Sequence, residues 1–281
     1  MSPAPQVVLT IAGFDPSSGA GVSADIKTIA AHGCYGVACI TALTVQSTAG
    51  VRRVEPLDAE LVAETLEELS ADFELAATHI GMLGSGDVAQ AVLDFVSQGK
   101  VSNVVLDPIL RSSSGAELVD AAGVRLLREK LLPVATIVTP NVDEAAALTG
   151  LEVADLDQMR SAAKRLHEMG APAVVITGGH LEKATDLLSF TGKAGIEQEV
   201  FKSARLRSSS THGTGCAFAT SMACHLAMGR GFPEAALLAK AYVAAAIGHG
   251  QPLGRGTGPV HHLYRMQQQR RVVAVDPDAA D

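Results

Sequence analysis

The sequence lacks several features that would assign it to whole classes of protein. It contains no Trp, only 4% aromatic residues, and no Lys- or Arg-rich segment to offset a formal net charge of -8. Nucleic acids and anionic membranes are therefore not expected among its partners. No apolar run reaches the roughly 18 residues that a membrane-spanning helix requires, so no membrane anchor is expected either.

Cysteine and histidine are too scattered for the sites they commonly build. The four cysteines show no CxxC spacing and none of the density of a secreted disulfide scaffold, which favours a reducing cytoplasm. The nine histidines show no zinc-ligand spacing. Residues 1–6 have neither the basic nor the apolar region of a secretion signal, and we expect them to be flexible.

What the sequence does contain is a repeated alternation of short apolar strands and helical patterns. The first unit is a strand at residues 7–12, a glycine-rich loop at 13–21 and a helix to residue 32. The later units predict five more strands of this kind, near residues 36–45, 77–82, 103–107, 136–139 and 173–177. The alternation predicts a mostly parallel sheet covered by helices on both faces, with a hairpin or edge strands at 185–190 and 197–202. We expect one domain over residues 7–266 and a flexible tail at 267–281.

Residues that follow the predicted strands are the first candidates for a site, because ligands bind at the carboxyl ends of strands in an open parallel sheet. The loop at 13–21 has neither a Walker A lysine nor the dinucleotide-binding spacing, which disfavours a P-loop protein and a Rossmann oxidoreductase. Its glycines permit a ligand to approach the backbone closely. Asp107 ends a buried strand before Pro108, so its carboxylate is expected to face the ligand side.

The segment from Thr211 to Cys216 is the most informative motif on its own terms. Glycines before an Ala-rich helix let successive backbone N–H groups point at an anion, which indicates a phosphate site. A helix N-terminus favours the thiolate form of cysteine, so Cys216 is a candidate to accept a proton from an attacking hydroxyl. A small buried residue at the start of the helix is the alternative interpretation.

Other candidates have structural interpretations that the spacing does not exclude. Asp25 could accept a hydrogen bond from a ligand, or it could be a solvated carboxylate that interacts with the helix dipole. Asn141 and Glu144 have the spacing of a helix N-cap with a capping-box partner. Met82 is more typical of a core residue than of a ligand contact.

Seven motifs follow one another along the chain: TIAGFDPSSGAG at 10–21, ADIKT at 24–28, IGM at 80–82, TPN at 139–141, GGH at 178–180, THGTGC at 211–216 and GPVHH at 258–262. Together they closely resemble the hydroxymethylpyrimidine/phosphomethylpyrimidine kinases. The resemblance extends from about Val7 to Tyr264 and implies a ribokinase-like fold, a three-layer α/β/α sandwich around a mostly parallel sheet.

The resemblance implies an ATP-dependent enzyme that uses Mg²⁺ to phosphorylate 4-amino-5-hydroxymethyl-2-methylpyrimidine and then its monophosphate. Asp25 and Gln46 would hold the aminopyrimidine, and the rest of its pocket would be lined by Gly13, Ala20 and Met82. A homodimer is also expected from the resemblance.

The same resemblance implies how the site would handle phosphate. Cys216 would be the base or a transition-state contact, and backbone N–H groups of the turn would form the anion hole with it. Mg²⁺ and its waters would be arranged by Asp107 and Glu144. The anion-hole residues are Gly213, Thr214 and Gly215, and the nucleotide or phosphate contacts are Asn141, Thr177, Gly178, Gly179 and Thr211.

Two segments depart from the family pattern. Thr177 stands where many members have a Lys that approaches the nucleotide phosphates, and Lys183 is a candidate to replace that charge. The stretch 112–115 follows Arg111, which could bring positive charge to a mobile lid. A pyridoxal kinase of the same fold is one alternative function, and a non-catalytic pyrimidine-binding protein with a degenerate site is another.

Overall fold

The structure is a computed structural model that describes residues 4–112, 114–179, 184–193, 195–204, 206 and 208–266. The expected tail at 267–281 lies outside the described residues. Within them, the strands are β1 (Val7–Phe14), β2 (Tyr35–Ser47), β3 (Gly50–Pro56), β4 (Leu75–Ile80), β5 (Val104–Leu106), β6 (Ile137–Val138), β7 (Ala173–Gly178), β8 (Ala184–Gly192), β9 (Gly195–Ser203), β10 (Ser210–His212) and β11 (Gly258–Pro259).

Several helices begin at capping side chains. Asp58, Ser85 and Asp155 each accept a backbone N–H at the start of a helix, and Asn141 forms a full capping box. The helices are α1 (Gly21–Ala31), α2 (Ala59–Asp72), α3 (Gly86–Ser97), α4 (Ala121–Leu126), α5 (Leu132–Val134), α6 (Val142–Thr149), α7 (Leu156–Glu168), α8 (Thr214–Ala227) and α9 (Phe232–Gly248). A π-helical turn at Leu127–Leu131 joins α4 to α5.

The main sheet has the strand order β3-β2-β1-β4-β5-β6-β7-β8-β9 among the described residues. The six strands β2, β1, β4, β5, β6 and β7 are parallel to one another, whereas β3 pairs antiparallel with β2, β8 with β7, and β9 with β8. The predicted mostly parallel sheet and its hairpin at 184–203 are therefore confirmed. Strand β3 was not predicted, because residues 51–56 have no continuous apolar face, and the short pair β10 and β11 was not predicted either.

Alternating side chains on the strands build a separate apolar layer on each face of the sheet. On β1, Leu9 and Ile11 pack in the cluster that includes Leu66 of α2, whereas Val8 packs in the cluster that includes Met222 of α8. This three-layer arrangement confirms the expected α/β/α sandwich. Among the described residues, no helix is both long and apolar enough to cross a membrane.

Candidate active site

A glycine loop at residues 13–21 connects β1 to α1 at the carboxyl edge of the sheet. Gly21 has φ +60°, and a Cβ there would overlap the carbonyl oxygen of Gly13. A Cβ on Gly13 would likewise collide with the end of the Met82 side chain, which follows β4 and is itself buried. The two predicted pocket residues Gly13 and Met82 are thus in contact, and Ala20 lies half-buried at the other end of the loop.

The turn before α8 presents backbone amides at the same edge. Gly213 is left-handed with φ +85°, and a Cβ at this position would overlap the carbonyl oxygen of Gly19 in the glycine loop. The first hydrogen bond of the helical ladder runs from the N–H of Ala217 to the oxygen of Gly213 at 2.9 Å. The amides of residues 214–216 therefore precede the ladder, and they lie at the turn where the sequence predicts an anion site.

Asp107 follows β5 and reaches the underside of this turn. Its side chain is buried, and within the described part of the chain its Oδ2 atom has no hydrogen-bond partner. A Cβ built on Gly215 would lie 3.7 Å from that oxygen. Burial, with the nearby charges of Glu144 and Asp25, raises the pKa of Asp107 well above its usual range. An oxygen with these properties is suited to a cation.

Asn141 and Glu144 form the capping box that their spacing indicated. The Asn141 Oδ1 atom accepts the N–H of Glu144, and Glu144 Oε2 accepts the N–H of Asn141, both at 2.9 Å. These contacts use one oxygen of each side chain. Burial is the largest cause that raises the pKa of Glu144, which is about 7 although the N–H of Asn141 opposes the shift. The capping role and a ligand role are compatible here.

The oxygen ligands at this edge of the sheet suit Mg²⁺, whose coordination is completed by water and phosphate, better than a metal bound only by protein side chains. The described residues contain no group of three or more His, Cys, Asp or Glu arranged as metal ligands. Mg²⁺ commonly uses one or two carboxylates together with waters and substrate phosphates. The unpartnered oxygen of Asp107, with Glu144 close enough to raise its pKa, matches that requirement.

Cys216 lies in the first turn of α8, but its predicted acidity is wrong. Burial raises its pKa well above the usual value for a thiol, and the carboxylates of Asp25 and Asp107 add to the effect. The backbone N–H of Gly21 acts in the opposite direction but does not offset them. The helix N-terminus therefore does not produce a thiolate, because desolvation and negative neighbours outweigh it.

Asp25 is placed differently from the two alternatives that its spacing suggested. The side chain is fully buried in α1, so it is neither solvated nor exposed to a ligand in this structure. Its carboxylate accepts the hydroxyls of Thr10 at 2.7 Å and Thr220 at 2.8 Å, and His79 Nδ1 lies 3.3 Å away. In this structure the carboxylate belongs to a buried network that includes Thr220, one helical turn beyond Cys216, and its contact with the pyrimidine stays a prediction.

Gln46 lies near the end of β2, half-buried beside the glycine loop. Its Nε2 atom is 3.4 Å from His212 Nε2, and His212 Nε2 is 2.8 Å from Asp15 Oδ2. Sequence reasoning missed Asp15 and His212. Both are inside recognised motifs, but their contact joins positions 197 residues apart and has no local sequence signal.

The predicted phosphate residues near β7 meet the end of β6. The N–H of Thr177 donates to the oxygen of Pro140 at 2.9 Å, which places Thr177 beside Asn141. Gly178 ends β7, Gly179 follows it with exposed backbone, and Thr211 is exposed on β10 next to His212.

A buried ion pair lies opposite Thr177 and was also missed. Asp186 of β8 faces Thr177, accepts the N–H of Gly178 at 3.0 Å, and pairs with Lys240 of α9 at 2.7 Å. Lys240 is a single cation in an Ala-rich helix, which is the only sequence signal it gives. Lys183, the candidate replacement for the family lysine, lies outside the described residues.

The edge of the site is bordered by loops that contact one another. The N–H of Val51 donates to Ser114 Oγ at 3.4 Å, and Thr48 accepts the N–H of Thr257 at 3.0 Å. Arg111 lies 3.8 Å from Glu117 on the surface, so its charge is already paired within its own loop. An exposed pair of this kind contributes little to stability.

Comparison with known proteins extends the match beyond single motifs. The sequence model of the family described as phosphomethylpyrimidine kinase matches residues 15–261. A hydroxymethylpyrimidine/phosphomethylpyrimidine kinase of Haemophilus influenzae is 39% identical over 257 residues, which cover 91% of this chain and 96% of the relative. A thiamine biosynthesis bifunctional protein of Geobacter sulfurreducens is 42% identical over 265 residues, which cover 94% of this chain. The chain spans about half (53%) of that longer relative.

Solved structures share the fold of this chain. The pyridoxal kinase of Bacillus subtilis, determined as an ADP complex, has a TM-score of 0.85 and 33% identity, and the match covers 94% of this chain and 100% of that one. The expected ribokinase-like architecture is therefore confirmed. With the glycine loop, the amide turn and Asp107 at one edge of that fold, the chain belongs to the phosphomethylpyrimidine kinase family.

Proposed function

We propose that the protein transfers a phosphoryl group from ATP to the hydroxymethyl group of 4-amino-5-hydroxymethyl-2-methylpyrimidine, and then to the resulting monophosphate. The observation that carries the proposal is the position of Asp107 Oδ2 beneath the amide turn at 213–216. A carboxylate oxygen without a protein partner and a set of anion-binding amides meet where a phosphate and its cation would need to meet.

The pyrimidine would bind between the glycine loop and Met82, with its edge against Gln46. One amide can both donate to and accept from an aminopyrimidine, and Gln46 is the half-buried amide at this position. In the arrangement of this structure, Asp25 would influence the site without touching the pyrimidine, because both of its carboxylate oxygens accept threonine hydroxyls. Its negative charge would be part of the field around the reacting groups.

The amides of residues 214–216 would hold the transferring phosphoryl group as negative charge spreads over its oxygens. Cys216 would contribute a neutral thiol that contacts this group, since its raised pKa keeps it protonated near neutral pH. Mg²⁺, when bound at Asp107 and Glu144, would neutralise phosphate charge. Asn141 and the turn at Gly178-Gly179 would border the nucleotide phosphates.

The cell compartment and assembly are part of the same proposal. Cys34, Cys39, Cys216 and Cys224 are free thiols in the structure, which supports a reducing cytoplasm. The homodimer expected from the family resemblance stays a prediction, which light scattering of the purified protein would check.

Steady-state turnover with ATP and Mg²⁺ tests the proposal, with hydroxymethylpyrimidine, its monophosphate and pyridoxal as parallel acceptors. We expect the largest kcat/KM for the two pyrimidines. Pyridoxal is included because the Bacillus subtilis structure carries that activity in its name. A preference for pyridoxal would favour the B6 kinase alternative, and pyrimidine binding without ADP release would indicate a non-catalytic protein.

A further inference from the structure

Asp15 connects two parts of the site that are far apart in the sequence. It lies in the glycine loop, is 3% exposed, and accepts the N–H groups of Ser17 at 2.8 Å and Ala20 at 3.0 Å. Its Oδ2 atom also lies 2.8 Å from Nε2 of His212, the residue that immediately precedes Gly213. One carboxylate therefore holds the shape of the substrate loop and fixes the start of the amide turn.

The charge of Asp15 is maintained by these contacts. Burial alone would raise its pKa, but hydrogen bonds from His212 and Ser17 outweigh burial and lower it. The ring of His212 also packs directly against Gly19, where a Cβ would overlap ring atom Cδ2. The carbonyl oxygen of Gly19 lies 3.2 Å from Nε2 of His262. The pair is thus enclosed on both sides and has little freedom to rearrange.

The same pair determines how the amide of Gln46 can point. A carboxylate only accepts hydrogen bonds, so His212 must donate its Nε2 proton to Asp15. With that proton in place, His212 Nε2 cannot accept a hydrogen bond from the amide nitrogen of Gln46, which faces it at 3.4 Å in the structure. Turning the amide by 180° places Gln46 Oε1 there instead and removes the contact between two donors. The oxygen and nitrogen of an amide exchange places by a half-turn, and hydrogen-bond partners decide between the two orientations.

The other side of the amide agrees with this orientation. In the structure Gln46 Oε1 lies 3.2 Å from the Thr44 hydroxyl, which also lies 3.0 Å from the carbonyl oxygen of Phe14. A hydroxyl has one proton, so when Thr44 donates it to Phe14, the turned amide can donate from its NH₂ group to the Thr44 oxygen. Gln46 then keeps one oxygen lone pair and one N–H for a ligand, in a fixed order along the amide. An acceptor and a donor in fixed order distinguish one heterocycle edge from another.

We propose that Asp15 and His212 are positioning residues which, through the orientation of Gln46 and the junction of the two loops, set specificity for the aminopyrimidine edge. This inference rests on the proposed function. It is distinct from the phosphoryl-transfer chemistry, because neither residue is required to touch the reacting atoms.

The test uses full-length Asp15→Asn, His212→Ala, His212→Gln and Asp15→Asn/His212→Ala variants, with KM measured separately for hydroxymethylpyrimidine and ATP. Each single change except His212→Gln should raise the pyrimidine KM about tenfold while the ATP KM changes by less than about twofold. The pyrimidine KM of the double variant should equal that of the single variant with the larger KM, because both changes break the same interaction. His212→Gln should recover part of the loss, since an amide N–H can still donate to Asp15.

Ser23→Ala is the matched control, because Ser23 bonds the backbone oxygen of Asp15 rather than its carboxylate. It should leave both KM values within about twofold of the parent. Multiplicative effects in the double variant, or equal increases in both KM values, would overturn the inference while an active parent enzyme keeps the proposed function. A parent protein with no pyrimidine turnover would instead reject the proposed function. Circular dichroism identifies any variant that fails to fold, and His212→Gln then supplies the comparison.

Discussion

The two ends of α8 contain similar groups in opposite circumstances. At the N-terminal end, Gly213 opens onto the substrate loop and Asp107 Oδ2 is buried without a partner among the described residues. At the C-terminal end, both ring nitrogens of His225 are also buried and without partners in that part of the chain. The first oxygen faces a site where a cation or ligand can satisfy it. The second group faces the aromatic side chain of His32, at a ring distance of 5.0 Å.

The comparison shows that an unpaired buried polar group does not by itself identify a site. Such a group costs stability wherever it occurs. Such a group indicates a binding site only where a ligand or ion can reach it. Asp107 lies beside the amide turn, where a phosphate and its cation could bind, whereas His225 does not. Substitutions at matched positions of the two ends can therefore separate function from stability.

The largest expected effect comes from Gly213→Ala. The new Cβ would overlap the oxygen of Gly19 in a left-handed backbone, so the loop and the amide turn must separate. We expect kcat/KM for the pyrimidine to fall by about 100-fold or more, because the amides no longer converge on the phosphoryl group. Steady-state kinetics measures this loss.

Gly229→Ala is the control at the other end of the helix. Gly229 is also left-handed, with φ +79°, but an added Cβ meets nothing within 4 Å. It should cost roughly 1–2 kcal/mol of stability and leave kcat unchanged. Equal kinetic losses in the two variants would show that the N-terminal turn has no special role.

Cys216→Ala should produce the next largest effect, a fall in kcat of about tenfold to 100-fold with a smaller change in pyrimidine KM. Cys216→Ser should keep more activity, since a hydroxyl can also contact the phosphoryl group. If the thiol is neutral, kcat of the serine variant should have the same pH dependence as kcat of the parent. A rate that rises with pH in the parent but not in Cys216→Ser would restore the base role.

Cys224→Ala provides the comparison for that thiol. Cys224 is fully buried two turns further along α8, and its pKa is raised by its contact with Cys34 and by burial. The substitution should lower stability by about 1 kcal/mol and leave kcat within about twofold of the parent. Thermal unfolding and turnover on one sample measure both quantities.

Thr177→Lys should have a modest effect in the favourable direction. A cation beside Asn141 would approach the nucleotide phosphates, and we expect the ATP KM to fall by about threefold. Thr191→Lys adds the same charge at an exposed position of β8 and should change nothing. A higher ATP KM in Thr177→Lys would mean that the Lys240 and Asp186 pair already fills this role.

The smallest kinetic effect, and a gain in stability, is expected from His225→Phe. Burial is the main cause that lowers the pKa of His225 to about 4 from 6.5. The folded state therefore loses stability relative to the unfolded state as the pH falls from 6.5 towards 4. Phenylalanine removes both the unpaired nitrogens and this loss of stability. The free energy of unfolding should therefore increase by about 1–3 kcal/mol, and Tm should rise with it.

That gain should be larger at pH 5 than at pH 8, and kcat should not change. His249→Phe, at an exposed position after α9, is the control and should leave Tm nearly unchanged. A lower Tm for His225→Phe at both pH values would show that His225 has a stabilising partner in solution.

The sequence predicted the order of strands and helices, because each of these elements carries a strong apolar pattern with glycine, proline or capping boundaries. It also placed Gly13, Asp107 and the amide turn at the same edge of the sheet. It did not predict the burial of Asp25 or the raised pKa of Cys216. Both depend on the summed charge and packing of elements that meet only in the folded chain.

The strands that were missed have physical reasons as well. β3 is exposed along much of its length and carries Arg52 and Arg53, so its pattern does not show a buried face. The contact of Asp15 with His212 joins residues on different elements and follows from topology rather than from spacing.

The most direct test is a crystal structure of the protein with ADP, Mg²⁺, aluminium fluoride and hydroxymethylpyrimidine. We expect the fluoride at the N-terminus of α8, within about 3 Å of the amides of residues 214–216. The pyrimidine edge should lie against Gln46 and the metal against Asp107. A fluoride bound away from that turn, with the pyrimidine elsewhere, would contradict the assignment of this edge as the place of phosphoryl transfer.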